Sequence, residues 1–288
     1  MNYYCVYHNS DYDGECSAAI VNYNYTKFAS NQEKIKFIGM NHSDEFPLWD
    51  KVDKNDTVCM VDFSLPMNDM ILLNQITNLI WIDHHKSSID EYNDIIDFNI
   101  IGNREIGKGA CELTWKFLLP NLKLPKAVKL LSNFDVWKHT EDVIPFQYGL
   151  SLYDTSVENK KVWFKLFDHN NTVFVFDIIA TGKLLYKNKQ MIDKKYMKLY
   201  SFNTTFEGYN VIAVNRRCNS LAFISVFNKN KHQIMIPFFY NPDNKKWIHS
   251  IYTPFDNIDV SEIAKKYSGG GHKQAAGFEI DKPILTTK

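Results

Sequence analysis

The chain has 288 residues, 45% of them apolar, and 33 basic side chains balance 33 acidic ones. That length predicts about two domains with cores of their own, and the balanced charge excludes a general duplex-binding surface, which needs a basic excess. Five scattered cysteines (Cys5, Cys16, Cys59, Cys111 and Cys218) form no CxxC pair, which speaks against a thiolate zinc site and for a reducing compartment. With no basic leader and no long apolar run, the expectation is a soluble, cytoplasmic protein without membrane contact.

Strand and helix signals alternate through the first half. Tyr3 to His8 reads as a strand, Ser17 to Phe28 as a helix with a small face, and Lys36 to Met40 as a short strand. Thr57 to Phe63 is a near-continuous apolar run interrupted by Asp62, as expected for a buried parallel strand. Asp69 to Thr77 is helical, Leu79 to Ile82 is the next strand, and Gly109 to Leu119 and Lys126 to Phe134 are helices. The βαβα order predicts a parallel sheet with helices on both faces. Apolar residues from Phe174 to Tyr200 recur at helical spacing among lysines, a long amphipathic helix joining two domains. Beyond it, Tyr209–Asn215, Leu221–Phe227, Gln233–Tyr240 and Lys246–Tyr252 read as strands, and Ser261–Tyr267 as a short helix. The fold class is therefore α/β. A parallel-sheet domain (1–175) is joined by a linker helix (176–202) to a smaller mixed α/β domain (203–288).

Polar residues collect where the predicted strands end. The first strand delivers His8, then Asp11 and Asp13 ahead of Gly14, read as a tight turn. The second buried run delivers Asp62, and the next delivers Asp83, His84 and His85. Asp135 follows the helix from Lys126. Strand carboxyl ends form the ligand crevice of an open α/β sheet. Taken singly, each piece could be a turn, a helix cap or a surface ion pair. Together, the carboxylates would repel one another in one crevice unless divalent cations neutralise them. Mixed imidazole and carboxylate donors suit Mn²⁺, Fe²⁺, Co²⁺ or Zn²⁺ better than Ca²⁺. Several carboxylates suggest two ions, which in such sites lie about 3.5–4 Å apart. In the second half, Gly269-Gly270-Gly271-His272-Lys273 precedes Gln274-Ala275-Ala276-Gly277-Phe278, a glycine-rich segment suited to cradling an anion. Only three arginines are present, so bidentate phosphate clamps are scarce. His42, His139 and His249 match no ligand position and read as structural or surface residues.

These motifs together resemble the DHH phosphoesterase family: His8-x-x-Asp11-x-Asp13-Gly14, Val61-Asp62-Phe63-Ser64, Asp83-His84-His85, Asp135-x-Trp137 and Gly269–Phe278, the last typical of the DHH-associated domain. The resemblance implies two Mn²⁺ ions. By position, His8 and Asp11 would hold one ion, Asp13, His84 and Asp135 the other, and Asp62 would bridge. Asp83 would orient His84 or support the cluster, and His85 would contact the scissile phosphate. Gly269, Gly270, Gly271, His272 and Lys273, with Tyr252, would bind substrate from across an interdomain cleft. There are two departures. The His8-to-Asp11 spacing is one residue shorter than in many members. Ser250-Ile251-Tyr252-Thr253 replaces a Ser-Leu-Arg-Ser stretch, as in some oligoribonuclease-like members. Tyr252 can stack on a base but cannot clamp a phosphate bidentately.

The function expected from the resemblance is a Mn²⁺-dependent phosphodiesterase acting on short RNA or DNA oligonucleotides or linear dinucleotides, in a state compatible with a homodimer. The alternatives are a cyclic-dinucleotide phosphodiesterase, a 3′-phosphoadenosine-5′-phosphate phosphatase and a non-catalytic nucleotide sensor. The glycine-rich C-terminal motif argues against an inorganic pyrophosphatase.

Overall fold

The computed structural model describes residues 2–28, 35–41, 44–95 and 98–285. The chain divides into two compact units, Met1–Tyr186 and Lys187–Lys288. The first contains β1 (Tyr3–His8), α1 (Tyr12–Phe28), β2 (Ile35–Met40), β3 (Thr57–Val61), α2 (Met67–Ile76), β4 (Asn78–Asp83), α3 (Lys86–Asn93), β5 (Ile101–Arg104), α4 (Ala110–Leu118), α5 (Lys126–Asp135), α6 (Val143–Leu150) and α7 (Lys160–Phe167). The division falls within α8 (Thr172–Tyr200). The second unit then contains β6 (Phe202–Phe206), β7 (Tyr209–Asn215), β8 (Ile234–Asn241), β9 (Lys246–Tyr252), α9 (Val260–Lys265), β10 (Gly270–His272) and β11 (Ala275–Ile280).

The first sheet is wholly parallel, in the order β2-β1-β3-β4-β5. Successive side chains of a strand point to opposite faces, and both faces here are apolar. Cys5, Cys59, Val61 and Ile82 pack on Ala18 and Val21 of α1 and Leu113 of α4. Val6, Val58, Met60 and Trp81 pack on Met70 and Leu73 of α2. A third core lies within the helical layer, where Ile20, Trp115, Leu131, Phe146 and Trp163 meet. In this strand order the chain reverses direction between β1 and β3, the switch point at which open α/β sheets bind ligands.

α1 starts five residues earlier than the spacing predicts, so the expected Asp11-to-Gly14 turn is instead a helix cap and first turn. The Asp11 carboxylate accepts from the backbone N–H groups of Asp13 and Gly14, both at 3.0 Å, which satisfies donors that a helix start leaves unpaired. Gly14 is required by close approach rather than by a turn: a methyl group there would lie 2.0 Å from the His8 carbonyl oxygen.

The second unit is a six-stranded mixed sheet, β10-β11-β9-β8-β7-β6, with only β7 and β8 parallel. Two expectations are corrected here. Leu221–Phe227, expected as a strand, is a 3₁₀ turn over Ser220–Ser225 that buries Phe223 against Met197 and Val214. The glycine-rich segment, expected as a loop, contains the edge strand β10, paired antiparallel with β11 over Gly270–His272. Gly271, at φ +137°, lies so close to β11 that a methyl group would come within 2.6 Å of Ala275 and Ala276 backbone atoms. Gly269 and Gly271 serve this close approach to β11, and α9 packs on the same sheet through Ile263 and Ala264.

His249 sits inside this sheet, fully buried between the rings of Phe238 and Phe278, which stack on it at 5.5 and 4.9 Å. Burial pushes its pKa down to about 4. The unfolded chain takes up this proton near pH 6.5 and the folded chain only near 4, so stability falls as pH drops through that window. A shift of that size corresponds to a loss of about 3 kcal/mol, order of magnitude. Denaturant midpoints measured from pH 7.5 to 4.5 are expected to fall more steeply in the wild type than in His249→Phe; parallel slopes would contradict this.

Candidate metal centre

The candidate donors of the first unit converge at the carboxyl edge of its sheet. His8 ends β1, Asp62 directly follows β3, and Asp83 ends β4 with His84 and His85 beyond it. β1 and β3 are neighbours, so His8 and Asp62 meet at the switch point. The Asp62 backbone lies in the left-handed region at φ +53°, a conformation that aspartate tolerates better than most residues. It turns the side chain, 2% exposed, into the cluster.

Among the described residues three donor groups form, each with ligand atoms within 4.8 Å of one another: His8, Asp11 and Asp62; Asp13, His84 and Asp135; and Asp62, Asp83, His84 and His85. Asp62 divides its two oxygens between them. Oδ2 lies 3.8 Å from His8 Nδ1, and Oδ1 lies 3.2 Å from His84 Nε2. His8 Nδ1 is also 3.0 Å from Asp11, while His84 Nε2 is 3.2 Å from Asp135 and 3.9 Å from Asp13. Asp62 Oδ1 and Asp135 Oδ2 are buried and make no hydrogen bond among the described residues, although His84 Nε2 lies 3.2 Å from each. A buried carboxylate oxygen without a donor is costly unless a cation faces it.

The electrostatics describe the same deficit of positive charge. Burial, with Asp13 and Asp11 beside it, drives the Asp62 carboxyl well above the usual carboxylate range, and burial with Asp13 does the same for Asp135. Asp13 is also raised, chiefly by burial. Burial disfavours charge on His8, but its bonds to Asp11 and Asp62 push it up to about 10. The donor set therefore fits divalent cations. His8 and Asp11 would hold one, Asp13, His84 and Asp135 a second, and Asp62 is positioned to reach both.

Asp83 bonds to both histidines that follow it. Its Oδ1 accepts from the backbone N–H of His84 at 2.7 Å, from that of His85 at 3.2 Å and from Nδ1 of the His85 ring at 2.7 Å. The ring it orients through these bonds is that of His85, because the chain turns after β4 and brings residue 85 back over residue 83. Burial opposes charge on His85, and the Asp83 carboxylate overcomes this and raises its pKa.

Asp13 and Asp135 are held by a network that sequence patterns do not disclose. The Asp13 carboxylate accepts from the N–H groups of Ala110 and Cys111 at 2.6 and 3.0 Å, at the positive end of α4. Gly109 makes this approach feasible, since a methyl group there would lie 2.7 Å from the Ser132 Cα and 2.8 Å from the Asp13 carboxylate. Ser132 Oγ accepts from the Gly109 N–H and donates to buried Glu112, which also pairs with Lys116 and Lys129. These bonds set Glu112 well below the ordinary range, at about 2, despite its burial. α4 and α5 are thereby locked together, and Asp135 ends α5. The one local signal for this was Glu112 and Lys116 at i, i+4 spacing.

Gly269, Gly270, Gly271, His272, Lys273 and Tyr252 all lie in the second unit. Tyr252 ends β9 opposite Ala275 and is half-buried, and His272 and Lys273 are exposed. His139 stacks on Phe134 and Trp137 and accepts no place among the donor groups. His42 lies outside the described residues.

Residues 213–286 match the DHHA1 domain family. An uncharacterized protein of Acanthamoeba polyphaga mimivirus is 25% identical over 95% of this chain, and the match spans only 66% of that protein's length. Among solved structures, the DHH domain of a member of the s1p family of ribosomal proteins aligns with a TM-score of 0.57 at 14% identity, over 96% of this chain and 82% of that one. A pGpG-specific phosphodiesterase from Vibrio cholerae aligns at 0.51 and 14% identity, over 97% and 93%. An exopolyphosphatase-related protein from Bacteroides fragilis aligns at 0.50 and 13% identity, over 99% and 88%. These likenesses are likenesses of fold. Among the described residues no helix is long and apolar enough to cross a membrane.

Replacing Asp62 removes both the like charge and the shared donor. Asp62→Asn is expected to leave the metal-free melting temperature unchanged or higher and to abolish the rise expected of the wild type on adding Mn²⁺. Each kcal/mol of binding free energy corresponds to about 2–4 °C in a chain of this size. A full Mn²⁺-dependent rise in the variant would refute a shared-carboxylate centre.

Proposed function

We propose that this chain, whose residues 213–286 match the DHHA1 domain family and whose fold is like that of a DHH domain, is a Mn²⁺-dependent phosphodiesterase hydrolysing short oligonucleotides or linear dinucleotides. The observation that carries the reading is Asp62, whose two oxygens face two separate imidazole–carboxylate sets. Two divalent cations bound there would neutralise the carboxylates and polarise water and phosphate oxygens for in-line displacement.

The chain's own groups supply the rest. Asp83 fixes the His85 ring through Nδ1, which leaves Nε2 to donate to a phosphate oxygen when the imidazole is protonated. The raised His85 pKa favours that protonated form. The cavity beside the donors, about 400 Å³, is bounded by Asn9, Ser10, Phe134 and Gln147 as well as by the carboxylates. That volume suits one or two nucleotide units rather than a long strand. In the second unit, Tyr252, His272 and Lys273 are assigned to substrate binding, with Gly269, Gly270 and Gly271 shaping the strand that carries His272. A linear dinucleotide is the substrate named for the Vibrio protein of like fold, which favours that class.

Products are to be analysed with Mn²⁺ on a panel of pApA, a cyclic dinucleotide, a five-nucleotide RNA and 3′-phosphoadenosine-5′-phosphate. The expected result is mononucleotide release from pApA and from the RNA, reduced to background in Asp62→Ala and His84→Ala. Asp83→Asn is expected to retain activity lowered by about 10–100-fold. Cleavage of the cyclic dinucleotide alone, release of inorganic phosphate from the monomer alone, or nucleotide binding without turnover would each replace this reading with the corresponding alternative.

A further inference from the structure

At the other end of the helical layer lies a cavity of about 660 Å³ that shares no residue with the carboxylate cluster. α1 runs from one to the other: Asp13 is in its first turn and Lys27 in its last, separated along the axis by about 21 Å at 1.5 Å per residue. Lys27, Lys123, Lys160, Lys161 and Lys165 all line this cavity. Among the described residues none of the five is ion-paired to a carboxylate. Among the described residues Asp168 is the single acidic residue of the lining, and its carboxylate accepts from the backbone N–H of Asn170 in its own turn. In a chain with equal numbers of basic and acidic groups, such a concentration of unpaired ammonium charge is locally unfavourable.

The cost is compounded at α7. Lys160 and Lys161 open that helix, its first turn has no acidic residue, and Asn159 makes no side-chain cap bond. Cations at the positive end of a helix are destabilising, and an anion there reverses the sign. The other component of the lining is aromatic. Tyr23 and Phe164, both half-buried, meet edge to face at 5.0 Å, with Trp115 and Phe167 buried behind Tyr23. The loop after α7 is tied to the segment before α5 by a 2.7 Å contact between His169 Nε2 and the Lys123 carbonyl, which holds the lysines of two elements around one space.

We propose that this cavity is a second binding site, separate from the metal centre, for a nucleotide bearing several phosphates. Five point charges answer the phosphates, which lysine binds without demanding a fixed geometry. The aromatic wall answers the base, and the volume lies within the range of small-molecule sites. The same chemistry is offered by a free nucleoside polyphosphate and by the end of an oligonucleotide.

Titration calorimetry of the full chain in excess EDTA tests this without loading the metal centre. The probes are ATP, inorganic tripolyphosphate, adenosine and a five-nucleotide RNA. ATP is expected to bind once per chain, with affinity falling steeply as salt rises. The double charge reversal Lys123→Glu/Lys165→Glu is expected to weaken it by about tenfold or more, and Asp62→Asn to leave it within about twofold. Phe164→Ala is expected to weaken ATP but not tripolyphosphate. RNA that displaces ATP and binds more tightly identifies an oligonucleotide end as the natural ligand; RNA that binds more weakly identifies a free nucleotide. The proposal is overturned if ATP does not saturate, if charge reversal leaves its affinity unchanged, if Asp62→Asn abolishes binding, or if tripolyphosphate binds as tightly as ATP. None of these outcomes depends on turnover, so this test and that of the phosphodiesterase can fail independently.

Discussion

The first unit is organised around a charge problem. Asp11, Asp13, Asp62 and Asp135 are brought together at the edge of the parallel sheet, Asp13 and Asp62 out of water, and their separation is too small for all to ionise unaided. His8 and His84 offset part of this, and two carboxylate oxygens remain buried without a hydrogen bond among the described residues. A fold that stabilised only itself would place apolar residues there, since buried charge is weak evidence for stability. Keeping the carboxylates in this position makes sense for a cluster that completes itself with cations.

The surrounding structure holds that cluster in place. The Asp13 carboxylate is clamped by two backbone N–H groups at the start of α4, and the Glu112–Ser132 network fixes α4 against α5 so that Asp135 arrives on the far side of His84. Asp62 is aimed by a left-handed backbone and His85 by Asp83. Each donor thus depends on a partner distant in sequence or on an unusual local conformation. The second unit handles polar groups differently: His249 is kept neutral between two phenylalanines, and the glycine-rich strand is shaped by its crossing with β11.

Much of this could be read from the chain alone, for identifiable reasons. Buried parallel strands are continuous apolar runs, so β1, β3 and β4 and the polar residues at their ends stood out. The helices α3, α6 and α7 did not. They are short, each eight residues, and their apolar positions are set by packing rather than by a long repeat. The 3₁₀ turn at Ser220–Ser225 has the sequence pattern of a strand because its apolar residues alternate without a period long enough to separate the two. Gly270 and Gly271 have the composition of a loop, but pairing with β11 places them in a strand, and pairing is invisible to composition.

The sequence by itself determined the chemical types of the donors, their position at strand ends and the α/β class, because strand polarity and hydrophobic period are local properties. Only the tertiary structure decided that Asp62 faces two imidazoles, that Asp83 serves His85, that Glu112 braces Asp13 and Asp135, and that five lysines from three segments surround one aromatic wall. Those facts are distances between residues far apart in the chain. They follow from the parallel strand order and the packing of α1, α4, α5 and α7, which no local pattern encodes.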